Sequence, residues 1–459
     1  MVYNKSGNQL FNIYNKSGND LDYGYDKSGN IIFQKDNRAK LMSYTMFYPD
    51  DAPTQYEVLG QYDYFSMTAN EFLALYYDDY VTNPPEGITV TKTSLGKDSS
   101  NQFDIWQYDF CPTNAQRKIL LISGEHGYET TSQFGLAHFL KHVYRIKDKE
   151  EFEYIRKYVR IKVIPILNPW AVNQVPREYG VYGGTNPERN FDYDDMWENF
   201  TQSHDGGQAG DRWNKKGDYP FQTAETRILA KFTMDNQDSD FYINCHTGED
   251  SGNRDVWIDY MTQTANASAI LAAVDKNKAI FNNKYAQAPR VEITGTTYPN
   301  ETGYGMHGCF DMFCIKATGV FTEQSPCNTI FGNGHNVCKG AIDNYASILY
   351  TNVMEALLYK YQNIYDALHP NDSIPITSVS GQNVSMSASD YSKTVILTMT
   401  PADTTQFIFD WQSSDASVCE VWGCTNQAVI VKRGTGTATI TVTNKSNSQI
   451  VTSFTVTVN

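Results

Sequence analysis

The fold is decided by two short stretches, Gly124-Glu125-His126-Gly127-Tyr128-Glu129 and Asn244-Cys245-His246-Thr247. Each stretch follows an apolar run of the kind that forms a buried strand. In sheets whose strands alternate with helices, functional side chains gather where the strands end. Two histidines and one carboxylate are the protein ligands of a catalytic zinc site, which leaves one position for water. The sequence therefore predicts that His126, Glu129 and His246 hold one Zn²⁺ ion.

The pair His126 and Glu129 is a weak signal by itself. At a spacing of three residues both side chains can reach one metal ion. The alternative is a hydrogen-bonded turn histidine followed by an acid that the helix dipole favours. His246 favours the metal site, because it closes an apolar strand where an unpaired ring is costly to bury. Glu323 ends another apolar run and adds a carboxylate at the same predicted sheet edge.

Helix-like and strand-like segments alternate from about residue 44 to residue 368. This alternation predicts an α/β domain whose sheet is mixed, largely parallel and covered by helices. The predicted strands are 119–123, 159–167, 241–245 and 320–322. The predicted helices are 67–80, with Thr68 as a cap, 131–146, 224–234, 265–281 and 341–361.

The first 36 residues repeat a Tyr-x-Lys-Ser-Gly-Asn unit that starts at Tyr3, Tyr14 and Tyr25. Three units of this size cannot bury a core alone. Two interpretations stay open for residues 1–36: short strands joined by tight turns, or a polar disordered tether. We expect the region to pack on a neighbour or to join a larger assembly.

Helical patterning stops after residue 370, and Ser, Thr and Val alternate to the end of the chain. This pattern predicts an all-β sandwich over residues 372–459. Pro401, Trp411 and the Gly-Thr run at 434–441 resemble bacterial immunoglobulin-like domains of group 2. We expect Trp411 to fill the sandwich core, and Gly434 and Gly436 to form the turn before the last hairpin. The resemblance implies a spacer or adhesion module of a bacterial surface protein or a phage tail protein.

Charge and composition exclude several classes of protein. The 459-residue chain has a net charge of −15, which argues against nucleic acid as a partner. It contains no apolar stretch of about 18 residues, so we expect no membrane span. Its N-terminus lacks the hydrophobic segment of a signal peptide. Eight cysteines make no disulfide scaffold, and close pairs such as Cys419 and Cys424 suit either local disulfides or reduced thiols.

The order of motifs over residues 44–365 resembles that of zinc carboxypeptidases of the carboxypeptidase A type. In that family an H-x-x-E pair is followed by Asn-Pro, an arginine, an Asn-Arg-Asn run, a strand-end histidine, a tyrosine with a glycine after it, and a strand-end glutamate. The corresponding positions here are His126 with Glu129, Asn168-Pro169, Arg177, Arg189-Asn190-Phe191, His246, Tyr298 with Thr302-Gly303, and Glu323. No single motif is decisive, but the ordered set is specific.

The resemblance implies the catalytic roles. His126, Glu129 and His246 would hold the zinc ion, which activates water and polarises the scissile carbonyl. Glu323 would act as the general base. Arg177 would stabilise the developing oxyanion.

The resemblance also implies the substrate contacts. Arg189, followed by Asn190, would bind a substrate carboxylate, and Tyr298 would close over the bound substrate. Tyr304 competes for the last role. One departure matters: the family's asparagine before the arginine is Glu188 here, which puts a negative charge beside the predicted carboxylate site.

Two other departures are Tyr128 between the first two ligands and Trp170-Ala171 after the Asn-Pro pair. Like Glu188, they bear on the exopeptidase activity more than on the metal site. His138 and His142, four residues apart, lack the glutamate of a helical zinc motif. We expect them to form a solvated helix face.

Two more candidates lie outside the ordered motifs. Asp192, Asp194 and Asp195 suit either a calcium loop or, as we expect, a solvated acidic turn. His307 is expected near the substrate or in a loop.

The sequence thus predicts a zinc-dependent peptidase, of carboxypeptidase type, acting on peptides near a free carboxylate. Peptidoglycan stem peptides are the narrower expectation for its substrate. The alternative is a non-catalytic adhesion or virion tail component built on a peptidase fold. With the flanking regions, the expected location is extracellular, at a cell surface or on a virion, within a larger surface or phage tail assembly.

Overall fold

The computed structural model describes residues 67–146, 151–175, 177–192, 196–200, 215–247 and 375–459, apart from 403, 405, 407 and 425, together with Phe310, Leu349 and the backbone of seven short strands elsewhere. The chain divides into two compact units, Met1–Thr45 and Met46–Asn459. Of the predicted helices, 265–281 lies outside the described residues, and 341–361 does so except at Leu349, which is helical. The domain bounds 1–36, 44–368 and 372–459 stay predictions.

The first unit contains two pairs of antiparallel strands in its described part. Strand β1 (Val2–Tyr3) pairs with β2 (Gln9–Leu10), and β3 (Tyr23–Tyr25) pairs with β4 (Ile31–Gln34). Both pairs fall within the repeat region.

The second unit begins with the helices and strands of the peptidase part. Its strands are β5 (Ile88–Lys97), β6 (Asp104–Pro112), β7 (Arg117–Ser123), β8 (Val159–Ile164), β9 (Phe241–Cys245), β10 (Val256–Met261), β11 (Val291–Thr296) and β12 (Gly319–Pro326). Its α-helices are α1 (Ala69–Tyr76), α2 (Asp78–Thr82), α3 (Thr130–Lys141), α4 (Glu151–Tyr158), α5 (Pro169–Val172), α6 (Met196–Asn199) and α7 (Ala224–Asp235). A π-helix, His142–Ile146, continues α3, and Pro187–Arg189 forms a 3₁₀ helix.

The eight strands form one mixed sheet in the order β11-β10-β12-β9-β7-β8-β6-β5. The central strands β12, β9, β7 and β8 run parallel, whereas β6 and β5 join antiparallel at one edge. Ile119 to Ile122 in β7 are fully buried, as expected for a parallel strand that is covered on both faces. The predicted mixed, largely parallel α/β sheet is confirmed.

Helices cover both sides of this sheet. Helix α1 starts at a capping box in which Thr68 and Glu71 exchange hydrogen bonds, so the predicted cap at Thr68 is confirmed. Helix α3 packs on β7 and β9, and Phe72 of α1 contacts Phe134 of α3 edge to face. On the other side, α7 contributes Leu229 to the core cluster that includes residues of β7. No helix among the described residues is both long and apolar enough to cross a membrane.

The C-terminal residues 375–459 are rich in strands and form several sheets, which is consistent with the predicted β sandwich. The strands are β13 (Ser378–Ser380), β14 (Val384–Met386), β15 (Ser392–Ile396), β16 (Thr398–Thr400), β17 (Phe409–Ser413), β18 (Cys419–Trp422), β19 (Gln427–Lys432), β20 (Gly436–Asn444) and β21 (Val451–Val458). A sheet in the order β14-β21-β20-β17 faces a sheet in the order β15-β19-β18, and β13 pairs with β16. We call this region the C-terminal sandwich.

Trp411 lies in the core of the C-terminal sandwich, as predicted, and Gly436 opens strand β20 with a left-handed φ of 138°. Cys419 and Cys424 are not joined by a disulfide. The specific likeness to bacterial immunoglobulin-like domains stays a prediction.

Candidate metal centre

The three predicted metal ligands meet at one edge of the sheet. His126 and Glu129 follow β7, and His246 follows β9, which is its parallel neighbour with Ser123 opposite Cys245. This register brings the two strand ends side by side. Ligand atoms of the three residues all lie within 4.8 Å of one another, and all three residues are buried.

The Glu129 carboxylate contacts both histidines. One oxygen lies 2.8 Å from Nδ1 of His126, and the other lies 3.0 Å from Nδ1 of His246. The backbone N–H of Thr247 also donates to the second oxygen at 3.1 Å. Glu129 stands at the start of α3 without capping it through its side chain, so the interpretation as a simple helix-terminal acid does not hold.

The charge state of the cluster suits a cation. Burial by itself would raise the pKa of Glu129. The two neighbouring histidines lower it by more, so that the pKa of Glu129 is about 2. The carboxylate is therefore ionised at neutral pH. Two imidazole nitrogens and one carboxylate oxygen, buried and close together, form the donor set that Zn²⁺ prefers.

The outer ring nitrogen of each histidine faces a polar partner. Nε2 of His126 lies 3.2 Å from Oδ1 of Asn186, and Nε2 of His246 lies 3.5 Å from a carboxylate oxygen of Glu125. The amide of Asn244 donates to the same Glu125 oxygen at 2.6 Å. Such partners orient ligand rings and favour one tautomer. Both histidines thus turn Nδ1 toward Glu129.

Sequence reasoning missed Asn186, Glu125 and also Tyr179, whose ring stacks on His126 at 3.7 Å between centroids. Only Glu125 carried a local signal, because it directly precedes a predicted ligand. The contacts of Asn186 and Tyr179 arise from a loop that folds back over the site.

The Asn168-Pro169 pair supports the turn that carries the first two ligands. The backbone N–H of Asn168 donates to the carbonyl of Gly124 at 2.9 Å, and its amide donates to the carbonyl of Glu125 at 3.3 Å. Its side-chain oxygen caps α5 by accepting from Ala171. Asn168 therefore holds the backbone of the turn 124–129, which carries His126 and Glu129 and which we call the metal turn.

Arg177 lies beside the metal turn. Its guanidinium donates to the hydroxyl of Thr130 at 3.1 Å and to the carbonyl of Met67 at 2.8 Å. Burial lowers the pKa of Arg177 to about 10, so it remains a cation at neutral pH. The structure thus places a fixed positive charge next to Thr130, the residue that follows the predicted ligand Glu129.

Arg189 is fully buried and forms an ion pair with the carboxylate of its neighbour Glu188. A second Glu188 oxygen lies 3.7 Å from Nε2 of His126. The negative charge that the sequence predicted beside the carboxylate site is therefore present in the structure. The Glu188 carboxylate lies between Arg189, the predicted carboxylate-binding residue, and the metal ligand His126.

Asn190 has a scaffold role in addition to its predicted substrate contact. Its amide nitrogen donates to the carbonyls of Lys216 at 2.7 Å and Tyr219 at 2.9 Å, and its amide oxygen accepts from the N–H of Thr223 at 3.0 Å. These bonds hold the Arg189 segment against the loop before α7. The substrate contact of Asn190 stays a prediction.

The backbone position of the predicted general base, Glu323, follows from the strand to which it belongs. Glu323 lies in β12, which runs parallel to β9, and the next residue, Gln324, pairs with Cys245. This register puts the backbone of Glu323 next to the strand end that carries His246. Tyr298, Tyr304 and His307 lie outside the described residues.

Two expectations about other residues were wrong. His138 and His142 are half-buried rather than on a solvated face, because α3 packs closely on the sheet. Asp192 is fully buried instead of lying in a solvated turn, since the C-terminal sandwich covers it. Asp194 and Asp195 lie outside the described residues.

The comparisons with known proteins agree with this geometry. A family model described as zinc carboxypeptidase matches residues 89–352, which is more than half of the chain. The chain therefore belongs to the zinc carboxypeptidase family, and the protein is a zinc metallopeptidase. No curated protein matches this chain.

Three similar solved structures illustrate the family. The carboxypeptidase A from Helicoverpa armigera is 14% identical, with 64% of this chain and 75% of that chain covered, at a TM-score of 0.48. Thrombin activatable fibrinolysis inhibitor is 15% identical, with 72% and 80% covered, at a TM-score of 0.48. A metallo-carboxypeptidase from Burkholderia cenocepacia is 11% identical, with 65% and 70% covered, at a TM-score of 0.43.

Proposed function

We propose that the protein hydrolyses peptide bonds near a free carboxylate, with His126, Glu129 and His246 as its zinc ligands. The buried His-Glu-His cluster at two adjacent strand ends is the observation that carries this proposal. Zinc held by these residues supplies a Lewis acid that acidifies water and polarises the scissile carbonyl.

The chain's own residues perform the remaining tasks. Glu323 takes a proton from the attacking water and returns it to the leaving amine. Arg177 presents a buried cation beside the metal turn, where it stabilises negative charge on the carbonyl oxygen. Arg189 binds the substrate carboxylate, and Tyr298 closes over the substrate.

Glu188 restricts the substrate of this reaction. Its ion pair occupies Arg189, so an incoming carboxylate competes with a carboxylate already in place. A plain peptide C-terminus brings only negative charge to this pair. A substrate that carries an ammonium group beside its carboxylate complements both Glu188 and Arg189. This pocket charge supports peptidoglycan stem peptides, which contain such a group, as the substrate class.

The test is mass spectrometry of the products from plain peptides, their C-terminally amidated counterparts and muropeptides. We expect the zinc-loaded protein to release C-terminal residues only from substrates with a free carboxylate. Glu323→Gln should abolish this release while keeping bound zinc. Full activity of Glu323→Gln would contradict the mechanism, and equal cleavage of amidated peptides would contradict the role of Arg189.

The choice between plain peptides and muropeptides is tested by Glu188→Asn, which introduces the residue typical of the family. Removing the competing carboxylate should raise the cleavage of plain peptides relative to muropeptides. An unchanged ratio would contradict selection by Glu188. No cleavage of any substrate, with zinc bound, would favour a binding protein built on this fold.

The protein is proposed to act outside the cell that makes it, at a cell surface or on a virion. The likeness of the C-terminal sandwich to modules of surface and tail proteins supports this location. Antibody labelling of intact cells and purified virions tests it, and detection only inside intact cells would contradict it.

A further inference from the structure

One face of the C-terminal sandwich lies against the peptidase part of the chain. In β19 the residues Ala428, Val429, Ile430 and Val431 are all at most 1% exposed. Because strand side chains alternate between two faces, such a run needs a covering layer on each side. Ala428 and Ile430 belong to the sandwich core, whereas Val429 and Val431 belong to the core cluster of the peptidase part.

We call the contacting residues the docking face. It consists of Tyr391, Ser392, Trp422, Val429, Val431 and Arg433. Its partners on the peptidase part include Asp192, which belongs to the segment 187–192 that carries Arg189, and Phe221, which is hydrogen-bonded to that segment.

The first contact is an aromatic stack between Trp422 and Phe221. Their rings lie 5.0 Å apart with an interplanar angle of 10°. Phe221 has a φ of 56°, a left-handed conformation that is costly for an aromatic residue. Its backbone N–H donates to the carbonyl of Asn190 at 2.7 Å. Trp422 therefore packs against Phe221, a strained residue whose N–H fixes the carbonyl of Asn190 directly after Arg189.

The second contact is a buried hydrogen bond. The hydroxyl of Ser392 donates to the carboxylate of Asp192, and both residues are at most 1% exposed. The other oxygen of Asp192 accepts from the backbone N–H of Trp197 at 3.0 Å. Asp192 stands three residues after Arg189, so the sandwich also contacts the segment 187–192 at its C-terminal end.

Polar contacts surround these two anchors. The backbone N–H of Tyr391 donates to the carboxylate of Glu198 at 2.6 Å. The guanidinium of Arg433 donates to the carbonyl of Pro220 at 3.3 Å and lies 4.6 Å from the ring centroid of Tyr219. Because these contacts are partly exposed, they orient the two surfaces but contribute little to the free energy of their association.

We infer that the C-terminal sandwich is a positioning element of the substrate site, which fixes the segment 187–192 through Trp422 and Ser392. This inference rests on the proposed role of Arg189 in binding the substrate carboxylate. The zinc ligands lie on the turns after β7 and β9, and they contact one another and Glu125, Tyr179, Asn186, Glu188 and Thr247. Loosening the docking face therefore affects substrate binding while zinc stays bound.

The test uses full-length, zinc-loaded Trp422→Ala and the milder Ser392→Ala. For the best peptide substrate we expect Trp422→Ala to raise KM about tenfold while kcat changes less than about threefold. Ser392→Ala should change KM in the same direction by a smaller factor. Zinc content should equal that of the wild-type protein.

The matched controls lie on the sandwich away from the docking face. Val451→Ala removes an exposed apolar side chain, and Ser453→Ala removes an exposed hydroxyl, both on strand β21 of the opposite sheet. Both should keep the wild-type KM. If these controls raise KM as much as the docking-face variants do, the inference is wrong.

A second readout is independent of peptide cleavage. The backbone N–H groups of Asn190 and Phe221 are hydrogen-bonded and report on the segment by hydrogen exchange. Trp422→Ala should speed exchange at 187–192 and 219–223 and leave β7 protected. Unchanged exchange, or faster exchange with an unchanged KM, would overturn the inference. An inactive wild-type protein would instead contradict the proposed function, and exchange would still decide whether the sandwich holds the segment.

Discussion

At the scale of single residues, the metal centre depends on side chains behind the ligands. Glu125 is buried at the outer nitrogen of His246 and is itself held by the amide of Asn244. A carboxylate in this place fixes the orientation of the ring and strengthens the ligand as a donor. Asn186 serves His126 in the same way, but as a neutral partner.

Glu125→Ala should weaken zinc binding by about 10- to 100-fold, because His246 loses its orienting partner. Glu125→Gln keeps an oxygen in place and should lose less. Zinc affinity is measured by competition with a chromogenic chelator. Glu86→Ala, a change at an exposed acid, serves as the control. Equal affinity in Glu125→Ala and the control would show that Glu125 does not orient the ligand.

A second residue links stability to pH. Glu225 is fully buried in α7, and burial raises its pKa although Ser99 donates to its carboxylate. A carboxyl group with a raised pKa in the folded state favours folding when protonated, and this contribution is lost as the pH rises through that pKa.

Glu225→Gln should therefore gain melting temperature relative to the wild-type protein as the pH rises from 4 to 7. The neutral amide avoids the cost of a buried charge and keeps an acceptor for Ser99. Thermal unfolding at several pH values measures this difference. A difference that stays constant or shrinks with rising pH would mean that the ionised carboxylate is not destabilising.

The sequence identified the ligand set because its members stand at the ends of apolar strands, where a local pattern suffices. Asn186 and Tyr179 could not be found in this way. Their contacts to His126 depend on how a loop more than 50 residues later folds over the site. The burial of Asp192 was hidden for the same reason, since its partner Ser392 lies 200 residues away.

At the scale of elements, the turn after β7 needs a glycine between the ligands. A Cβ on Gly127 would lie 2.5 Å from the carbonyl carbon of Ala171. The Ala171 carbonyl carbon belongs to backbone that cannot move cheaply, because Asn168 ties the start of α5 to the same turn.

Gly127→Ala should push this turn away from α5 and displace His126 and Glu129. We expect a loss of stability of about 1–3 kcal/mol from overpacking, together with weaker zinc binding. Denaturant unfolding and zinc titration measure the two effects. Wild-type stability and zinc affinity in this variant would show that the turn has room to adjust.

The strands that the sequence predicted are the continuous apolar ones, such as β7 and β9. Strands β5 and β6 were not predicted. Strand β5 alternates buried and exposed residues in only its first half and contains several threonines, so its pattern is weak. It forms an antiparallel hairpin with β6, the next strand along the chain, at the edge of the sheet, and it lacks the continuous apolar run from which β7 and β9 were predicted.

At the scale of the whole molecule, the C-terminal sandwich and the peptidase part share one core cluster. It joins Phe221 and Trp197 to Val429 and Val431. A composition change near residue 370 predicts where the sandwich starts, but nothing in the local sequence indicates that its outer face is covered. Parts that share a hydrophobic core tend to unfold together.

The second unit should therefore melt in one cooperative transition. Trp422→Ala should weaken the shared core and separate the melting of the sandwich from that of the peptidase part. Differential scanning calorimetry of the full chain distinguishes these cases. Two separate transitions in the wild-type protein would contradict a shared core.

The most direct test of the central claim is peptide hydrolysis by the zinc-stripped protein before and after zinc is restored. His246→Ala is measured in parallel. We predict no hydrolysis without zinc, recovery at one zinc ion per chain, and neither zinc binding nor activity in His246→Ala. Hydrolysis that persists without zinc, or that is restored in His246→Ala, would contradict a zinc peptidase centred on His126, Glu129 and His246.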